Sequence, residues 1–575
     1  MIAGLRSPHK DVPRADGAGT FETAVFWSAL VVQVAVRVLY LLHHHVDTDE
    51  PQHLHVAWGW THGLVQYRDV FDNHAPLFHL MAAPLVRALG ERADILVILR
   101  EWMLPLTLLS LVATYILGRA LWSERVGRWA ALVAGFGPTF LLTSTEFRAD
   151  ILWMATWLWA LVVMLGGRPT GRRGLLAGLL LGAALATSLK SVLLLLSLAS
   201  AGAFVLAVER GSLANAARLQ LRRFAAAVAA GTIAIPAAVV GLFWRLRALP
   251  AMAYCTVQHN IVPGLGLWQR APYRPLLFPL ALSVMLPSAK ALLGWQPASP
   301  ASTRRVVVFL TAGMYLALLE AFWPLITRED FLPSTPLCVL LMVAAAYALW
   351  TALGRIRRRA MPRWAWAGFM ALVMAAELAL VTDTESAWRD ATRTEGRLLQ
   401  TVLRATRPAD PILDLKGETV FRPRPYYFVL EGVTKTRLAM HLLPDRIAAD
   451  VIRSRTHYAV PDSPYFPPAA RQYLNRHFVT FGALRVLGTD LGVDPCGDGN
   501  HRHAFDVSYP ERFAIVVDGR AARGNLDDVP YRGPRWLAPG VHQYVPAPGE
   551  RRSAAIWSDA LARDPEIGAR VAASP

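Results

Sequence analysis

Apolar residues gather in uncharged or nearly uncharged runs up to about residue 381, and beyond that point no run is long enough to cross a bilayer. A spanning helix needs roughly 20 apolar residues. On that measure eleven stretches predict spans: 22–42, 97–118, 127–145, 149–166, 174–188, 191–208, 224–244, 275–293, 306–326, 331–353 and 364–381. Between 174 and 208 the only charge is Lys190. Those residues as one helix would reach about 52 Å, far beyond a hydrocarbon core of about 30 Å. Two short spans turning at Thr187-Ser188-Leu189-Lys190-Ser191 are therefore expected.

Arginines in the connecting loops set the orientation. With the N-terminal tail 1–21 (Arg6, Lys10, Arg14) inside, five further inner loops carry basic clusters: Arg119/Arg125/Arg128, Arg168/Arg172/Arg173, Arg210/Arg218/Arg222/Arg223, Arg304/Arg305 and Arg355/Arg357/Arg358/Arg359/Arg363. This is the positive-inside distribution. Merging the two short spans would put every later cluster outside. The expected fold is a polytopic α-helical membrane protein of about eleven helices over 22–381. An outer loop 43–96, the Thr145–Asp150 turn, the Lys190 turn, loop 245–274, the Thr327–Asp330 turn and everything after 382 fall on the outer side.

The tail predicts two soluble pieces. Residues 390–500 mix helix-like segments (Glu395–Ala405, Leu443–Arg455) with strand-like ones (Pro411–Leu415, Phe478–Leu487), as in a small α/β domain. Residues 503–560 alternate as strands, with turns at Asp518-Gly519 and Pro539-Gly540, as in a β-sandwich.

Composition agrees with a membrane module: 54% of the 575 residues are hydrophobic, with 19 Trp. The net charge of +17 would suit nucleic acid, but its place in short loops between apolar runs argues against that partner. Three cysteines (Cys255, Cys338, Cys496) show neither metal spacing nor a disulfide framework. The first apolar run lacks a small-residue cleavage site and reads as a retained anchor. Abundant Ala and Arg are of bacterial type in composition, and the expected location of the spans is a bacterial cytoplasmic (inner) membrane.

Unusual chemistry collects in the outer loops. Residues 43–79 hold eight of the 16 histidines and five acids, Asp47, Asp49, Glu50, Asp69 and Asp72. Asp-Glu-Pro at 49–51 reads as a helix start, with Gly63 as its stop. Pro76–Leu89 is too short to span and suits the membrane surface. Loop 245–274 is uncharged from Ala248 to Gln269 and rich in Pro and Gly, a candidate flap. Asp49 and Glu50 suit either a helix cap or a general base with a metal or acceptor contact. Asp150, with Arg148 beside it, is either a cap or a second acid of an active site. Lys190 either reaches the headgroups or binds phosphate. Arg328, Glu329 and Asp330 form a charged knot between two spans. His53 shares a helix face with Asp49 at i, i+4, whereas the H-x-x-x-H pairing of a zinc site is absent. Glu50 and Asp150 are the candidate ligands of a divalent metal ion.

The order and topological side of these motifs carry a resemblance. Asp49-Glu50, Asn73-His74-Ala75-Pro76-Leu77, Arg148-Ala149-Asp150, Leu189-Lys190-Ser191 and Arg328 to Pro336 (REDFLPSTP) are similar to motifs of the C-type glycosyltransferases that use polyprenyl-phosphate sugars. The branch resembled is that of protein O-mannosyltransferases and lipid A aminoarabinose transferases, over about residues 20–350. Where relatives often have a basic Lys-Pro-Pro-like segment, this chain has His74-Ala75-Pro76.

The resemblance implies transfer of a sugar from a polyprenyl-phosphate donor to a lipid, glycan or protein acceptor at the outer face, among membrane lipids. Asp49 would accept the acceptor's proton, while Lys190, Arg328 and His74 stabilise the leaving lipid phosphate. Asp150 would orient the acceptor or hold the metal with Glu50; Arg148, His53 and Glu329 would support the site. One displacement would invert the anomeric carbon. The rival reading is a transporter of a polar or lipid-linked solute. It expects ionisable groups near the midplane in broken helices and repeated halves, whereas here the polar outliers lie at one face.

Overall fold

The computed structural model describes every residue except 1–17, 210, 212–213, 267–272, 294, 297–298, 324, 358–361, 387, 494–500, 518–519 and 565–575. Arg6, Lys10 and Arg14, Arg210, Arg358 and Arg359, Cys496 and the Asp518-Gly519 turn lie outside the described residues.

Each predicted apolar run falls on helix. The first is α1 (Ala18–His43), followed by two short helices of the long loop, α2 (Asp49–Thr61) and α3 (Leu77–Leu89). The run at 97–118 is divided into α4 (Ile95–Glu101) and α5 (Leu104–Leu121), and Pro105 sits in the first turn of α5, where its missing N–H costs nothing. The next run is likewise α6 (Glu124–Phe136) and α7 (Pro138–Thr143), broken at Gly137-Pro138 because the residue before proline avoids helical backbone. Then come α8 (Ala149–Leu165), α9 (Gly171–Thr187), α10 (Ser191–Glu209) and α11 (Asn215–Arg245). The chain leaves helix at Ser188, whose φ of −148° and ψ of 126° are extended, so α9 and α10 are separate as expected. Further on lie α12 (Leu249–Ala253), α13 (Leu277–Leu293), α14 (Pro300–Phe322), α15 (Thr335–Ile356) and α16 (Arg363–Thr384). By length and composition, seven helices of the described residues could cross a membrane; α3 and α8 are shorter apolar helices. That is fewer than eleven, because several runs are broken or short.

Small residues bring α9 and α11 together. A Cβ on Gly178 would lie 2.2 Å from Val228 O, and one on Gly231 would lie 2.5 Å from Leu175 O. Backbones this close exchange side-chain bulk for van der Waals contact, the usual currency of helix pairing in lipid.

The tail begins with α17 (Thr392–Ala405) and forms strands β1 (Ile412–Leu413), β2 (Tyr458–Ala459), β3 (Phe478–Phe481), β4 (Leu484–Val493), β5 (His503–Val507), β6 (Glu511–Val517), β7 (Arg520–Ala521), β8 (Asn525–Leu526), β9 (Val529–Pro530), β10 (Arg535–Leu537), β11 (Gly540–Val545) and β12 (Arg552–Trp557). One sheet runs β1-β2-β4-β12-β6-β10, with β3 on β4 and β7 on β6; a second runs β5-β11-β8-β9. The two pieces expected of this tail are therefore joined. β12 of the later piece pairs antiparallel with β4 of the earlier one, Ala555 opposite Thr489, and one hydrophobic core runs from Val402 to Ala560. Pairing covers edges that separate pieces would leave open. The tail is also seated on the helices: Leu399, Val420 and Phe421 belong to the same apolar cluster as Leu54, Trp58 and Leu96.

Candidate active site

The first turn of α2 is a fork of two carboxylates. Glu50 turns inward and is fully buried; its oxygens accept from Arg100 Nη2 at 2.5 Å and Nε at 2.7 Å, from Phe147 N at 2.8 Å and from Asp47 N at 3.1 Å. Arg100 also donates to the carbonyls of Leu41, His44 and His45 and to Thr392 Oγ1. This is a buried, saturated ion pair that fixes the loop. It corrects the expectation that Glu50 faces a metal or substrate, because every lone-pair direction has a partner within the protein.

Asp49 turns the other way. One oxygen lies 3.0 Å from Arg148 Nη2, and the other is held by Lys416 Nζ, which is 3.3 Å from Thr48 Oγ1 and 4.0 Å from Glu431 Oε2. Burial alone would raise the Asp49 pKa. Lys416, then Arg148 and His74, outweigh it and hold the carboxyl well below the usual range, so Asp49 is ionised at neutral pH.

Arg148, just ahead of α8, is the hub. Its guanidinium lies 2.8 Å from Asp47, 3.0 Å from Asp150, 3.6 Å from Glu146 and 3.8 Å from Glu329, besides Asp49. Such a planar fork suits several carboxylates at once. Arg328 continues the network, 2.6 Å from Glu329 and 3.2 Å from Glu146. Lys190 pairs with buried Asp330, which closes a capping box with Thr327 and whose carbonyl accepts from Tyr315 at 2.6 Å. Asp49, Asp150, Arg328 and Glu329 are thus joined through Arg148. Lys190 attaches at the adjacent Asp330, which itself feels the charge of Asp150.

The histidines divide. His74 Nδ1 lies 2.8 Å from Asp72, which also accepts from Gln52 at 2.9 Å and Gln66 at 2.6 Å. Burial lowers the His74 pKa, but Asp72 and then Asp49 raise it above its ordinary value on balance. His53 is buried, 2.7 Å from His79, and burial drives its pKa well down. His53 lines the site as a neutral ring.

Lys416, Glu431, Arg100 and Glu146 carry no expectation from the sequence, yet all belong to the site or its frame. Lys416 arrives on a tightly anchored turn of the tail. Leu415 N and Lys416 N donate to Glu418 at 3.0 and 2.8 Å, Gly417 N and Thr419 N donate to Asp414, and Arg424 donates to Asp414 at 2.6 Å. His55 of α2 is 2.7 Å from Val420 O, and Glu431 accepts from Asn73 at 2.8 Å. Gly417 has φ +97°, and a Cβ there would meet His55 Cβ at 2.8 Å. One signal was legible: only five of the 59 basic residues are lysine, and Lys190 and Lys416 are two of them.

Glu50 and Asp150 do not converge as metal ligands, since Glu50 is spent on Arg100 and Arg148 occupies Asp150. Among the described residues, the group whose donor atoms do converge is His44, His45 and Glu385.

No protein-family model matches the chain, and no curated protein matches it in sequence. Among solved structures it is similar to the lipid A aminoarabinose transferase ArnT from Cupriavidus metallidurans in the apo state, with TM-score 0.52 and 14% identity over 81% of this chain and 98% of that one. The same protein bound to undecaprenyl phosphate gives TM-score 0.51 and 14% identity over 82% of this chain and 98% of that one. The archaeal oligosaccharyltransferase AglB from Archaeoglobus fulgidus, in complex with an inhibitory peptide and a dolichol-phosphate, gives TM-score 0.45 and 13% identity over 80% and 73%. At 14% identity the likeness to ArnT shows a shared fold: a polytopic module of apolar helices followed by a C-terminal sheet region.

Proposed function

We propose that the chain moves a sugar from a polyprenyl-phosphate donor to an acceptor at the outer face of the cytoplasmic membrane, with Asp49 as the base. The observation that carries this reading is Asp49 itself: an ionised carboxylate held between two cations, Arg148 from the turn ahead of α8 and Lys416 from the tail. The ArnT fold, seen with undecaprenyl phosphate in that protein, supports the same donor class here.

The mechanism follows from the charges. The acceptor hydroxyl lies against Asp49. A carboxylate with so depressed a pKa is a poor base for a free hydroxyl. It takes the proton late, once attack on an oxocarbenium-like anomeric carbon has made the hydroxyl acidic. The new glycosidic C–O bond forms as the anomeric C–O bond to phosphate breaks, and the proton ends on Asp49. The lipid phosphate leaves with its charge held by cations that can turn toward it: Arg328 (side chain 37% exposed), His74 (30%) and Lys190 (26%). Arg148 keeps Asp49 and Asp150 apart, leaving Asp150 to orient the acceptor. Glu50 and Arg100 act as positioning residues. A single displacement gives inversion. No step needs a metal between Glu50 and Asp150.

The test is chemical. A strain lacking the protein should accumulate one polyprenyl-phosphate sugar, and purified protein in nanodiscs should consume that lipid when its acceptor is supplied. An unchanged lipid-linked sugar pool would overturn the reading. So would movement of the lipid or a solute across the bilayer with its sugar bond intact.

A further inference from the structure

The geometry points to a metal centre outside the Asp49 site: His44 Nδ1, His45 Nδ1 and the Glu385 carboxylate form a site for a zinc-class divalent ion. It ties the end of α1 to the end of α16. All three donor atoms lie within 4.8 Å of one another. Glu385 offers one oxygen to each ring, Oε1 at 2.6 Å from His44 Nδ1 and Oε2 at 2.7 Å from His45 Nδ1.

Two observations distinguish this from an incidental ion pair. First, His44 is 1% exposed, and its Nδ1 lies 2.6 Å from Glu385 Oε1 but outside good hydrogen-bond angles, so the ring nitrogen and the carboxylate sit close without a well-aligned bond between them. Second, the other nitrogen of the same ring, Nε2, is 3.0 Å from fully buried Glu146. A histidine that binds metal through one nitrogen characteristically donates its other N–H to a carboxylate, which fixes tautomer and ring orientation. The buried partner needed for that arrangement is already in place.

The backbone is set to hold the donors. Tyr40 Oη donates to Glu385 O at 2.7 Å, and His45 N donates to Glu385 Oε1 at 2.8 Å. Ala391 N donates to His43 O at 3.1 Å, Thr392 Oγ1 to His44 O at 2.6 Å, and Arg100 to the carbonyls of His44 and His45. Two imidazoles and a carboxylate favour Zn²⁺ over the all-oxygen ions Mg²⁺ and Ca²⁺. The His45 side chain is 47% exposed, so a water can complete four-coordination. Each neutral imidazole would give its Nδ1 lone pair to the ion, and any proton on Nδ1 would pass to solvent.

The role is structural. The ion would clamp the exit of the first span to the start of the tail, and Glu146 would link it to Arg328 and the Arg148 hub. The inference does not rest on the transfer reaction, and binding is read without it.

The test titrates Zn²⁺ against full-length, chelator-stripped protein in detergent, with a chromophoric chelator as competitor. One equivalent should bind tightly and raise the thermal midpoint, while Mg²⁺ should do neither. H45A should weaken Zn²⁺ by at least tenfold, and E146Q by about 10–100-fold. D49N/D150N should bind Zn²⁺ as the wild type does. E385Q is the second variant should H45A fail to fold. No bound equivalent, wild-type affinity in H45A and E385Q, or loss in D49N/D150N with retention in H45A would each overturn the site.

Discussion

Replacing Lys416 by methionine removes one of the two cations on Asp49 while keeping the length and apolar stem of the side chain. Coulomb's law at ~4 Å and an effective dielectric of ~20 gives about 4 kcal/mol for the pair, or about three pKa units. Asp49 and Lys416 are 21% and 9% exposed, which screens part of this. Arg148 stays in place at 3.0 Å. A rise of about 1–3 units in the Asp49 pKa is expected, the range for loss of one close opposite charge. The direction follows from the sign: Asp49 is depressed, so removing a cation lets it rise toward, and under the pull of burial beyond, the ordinary aspartate value. The acidic limb of kcat/KM reports that group in the free enzyme. In K416M the limb should move to higher pH by about 1–3 units, and in K416R it should stay near the wild type. An acidic limb that is identical in all three proteins would refute both the assignment of Asp49 as base and the tail's part in tuning it.

The buried Glu50–Arg100 pair predicts that E50Q and R100M each cost roughly 3–5 kcal/mol of stability, read by chemical unfolding, while turnover per folded molecule falls little. A total loss of turnover in folded E50Q would restore Glu50 to the chemistry. Asp72 raises the His74 pKa against burial, so the protonated ring persists above pH ~6.5 and is lost as pH rises through its folded value. Donor KM should therefore rise with pH on that limb, and H74Q should flatten it; an unchanged pH profile in H74Q would remove His74 from the phosphate site. G417A places a Cβ at 2.8 Å from His55 Cβ on a backbone with φ +97°, a strain of about 1–3 kcal/mol. It should displace Lys416 and reproduce part of the K416M pH shift; a wild-type profile would show that the turn does not position the lysine.

Much of the membrane module was legible because the bilayer imposes length and polarity on each run. The arginine clusters fixed the Ser188–Lys190 break, which propensity alone would have bridged. Breaks at Gly137-Pro138 and Trp102-Met103 were less visible, since hydropathy averages across them. The tail's joined sheet was hidden for a different reason. β4 and β12 lie far apart in the chain, and nothing local announces a long-range pairing. Arg148, Asp150, Lys190 and Arg328 stood out as charges at the ends of apolar runs, and Asp49 as an acid opening a helix within a histidine-rich loop. Their division of labour did not, because one turn of helix decides that Glu50 meets Arg100 while its neighbour Asp49 meets Arg148. Lys416 was missed because it sits in a polar tail where a charge looks ordinary.

The central claim rests on Asp49 as the base. Its most direct measurement is single-turnover transfer from the radiolabelled polyprenyl-phosphate sugar identified in the deletion strain, comparing wild-type and D49N protein in nanodiscs at equal folded concentration. The account predicts that D49N binds the donor within a few-fold of the wild type and transfers sugar at least about 100-fold more slowly, the scale of a lost general base. Transfer by D49N at the wild-type rate would contradict it.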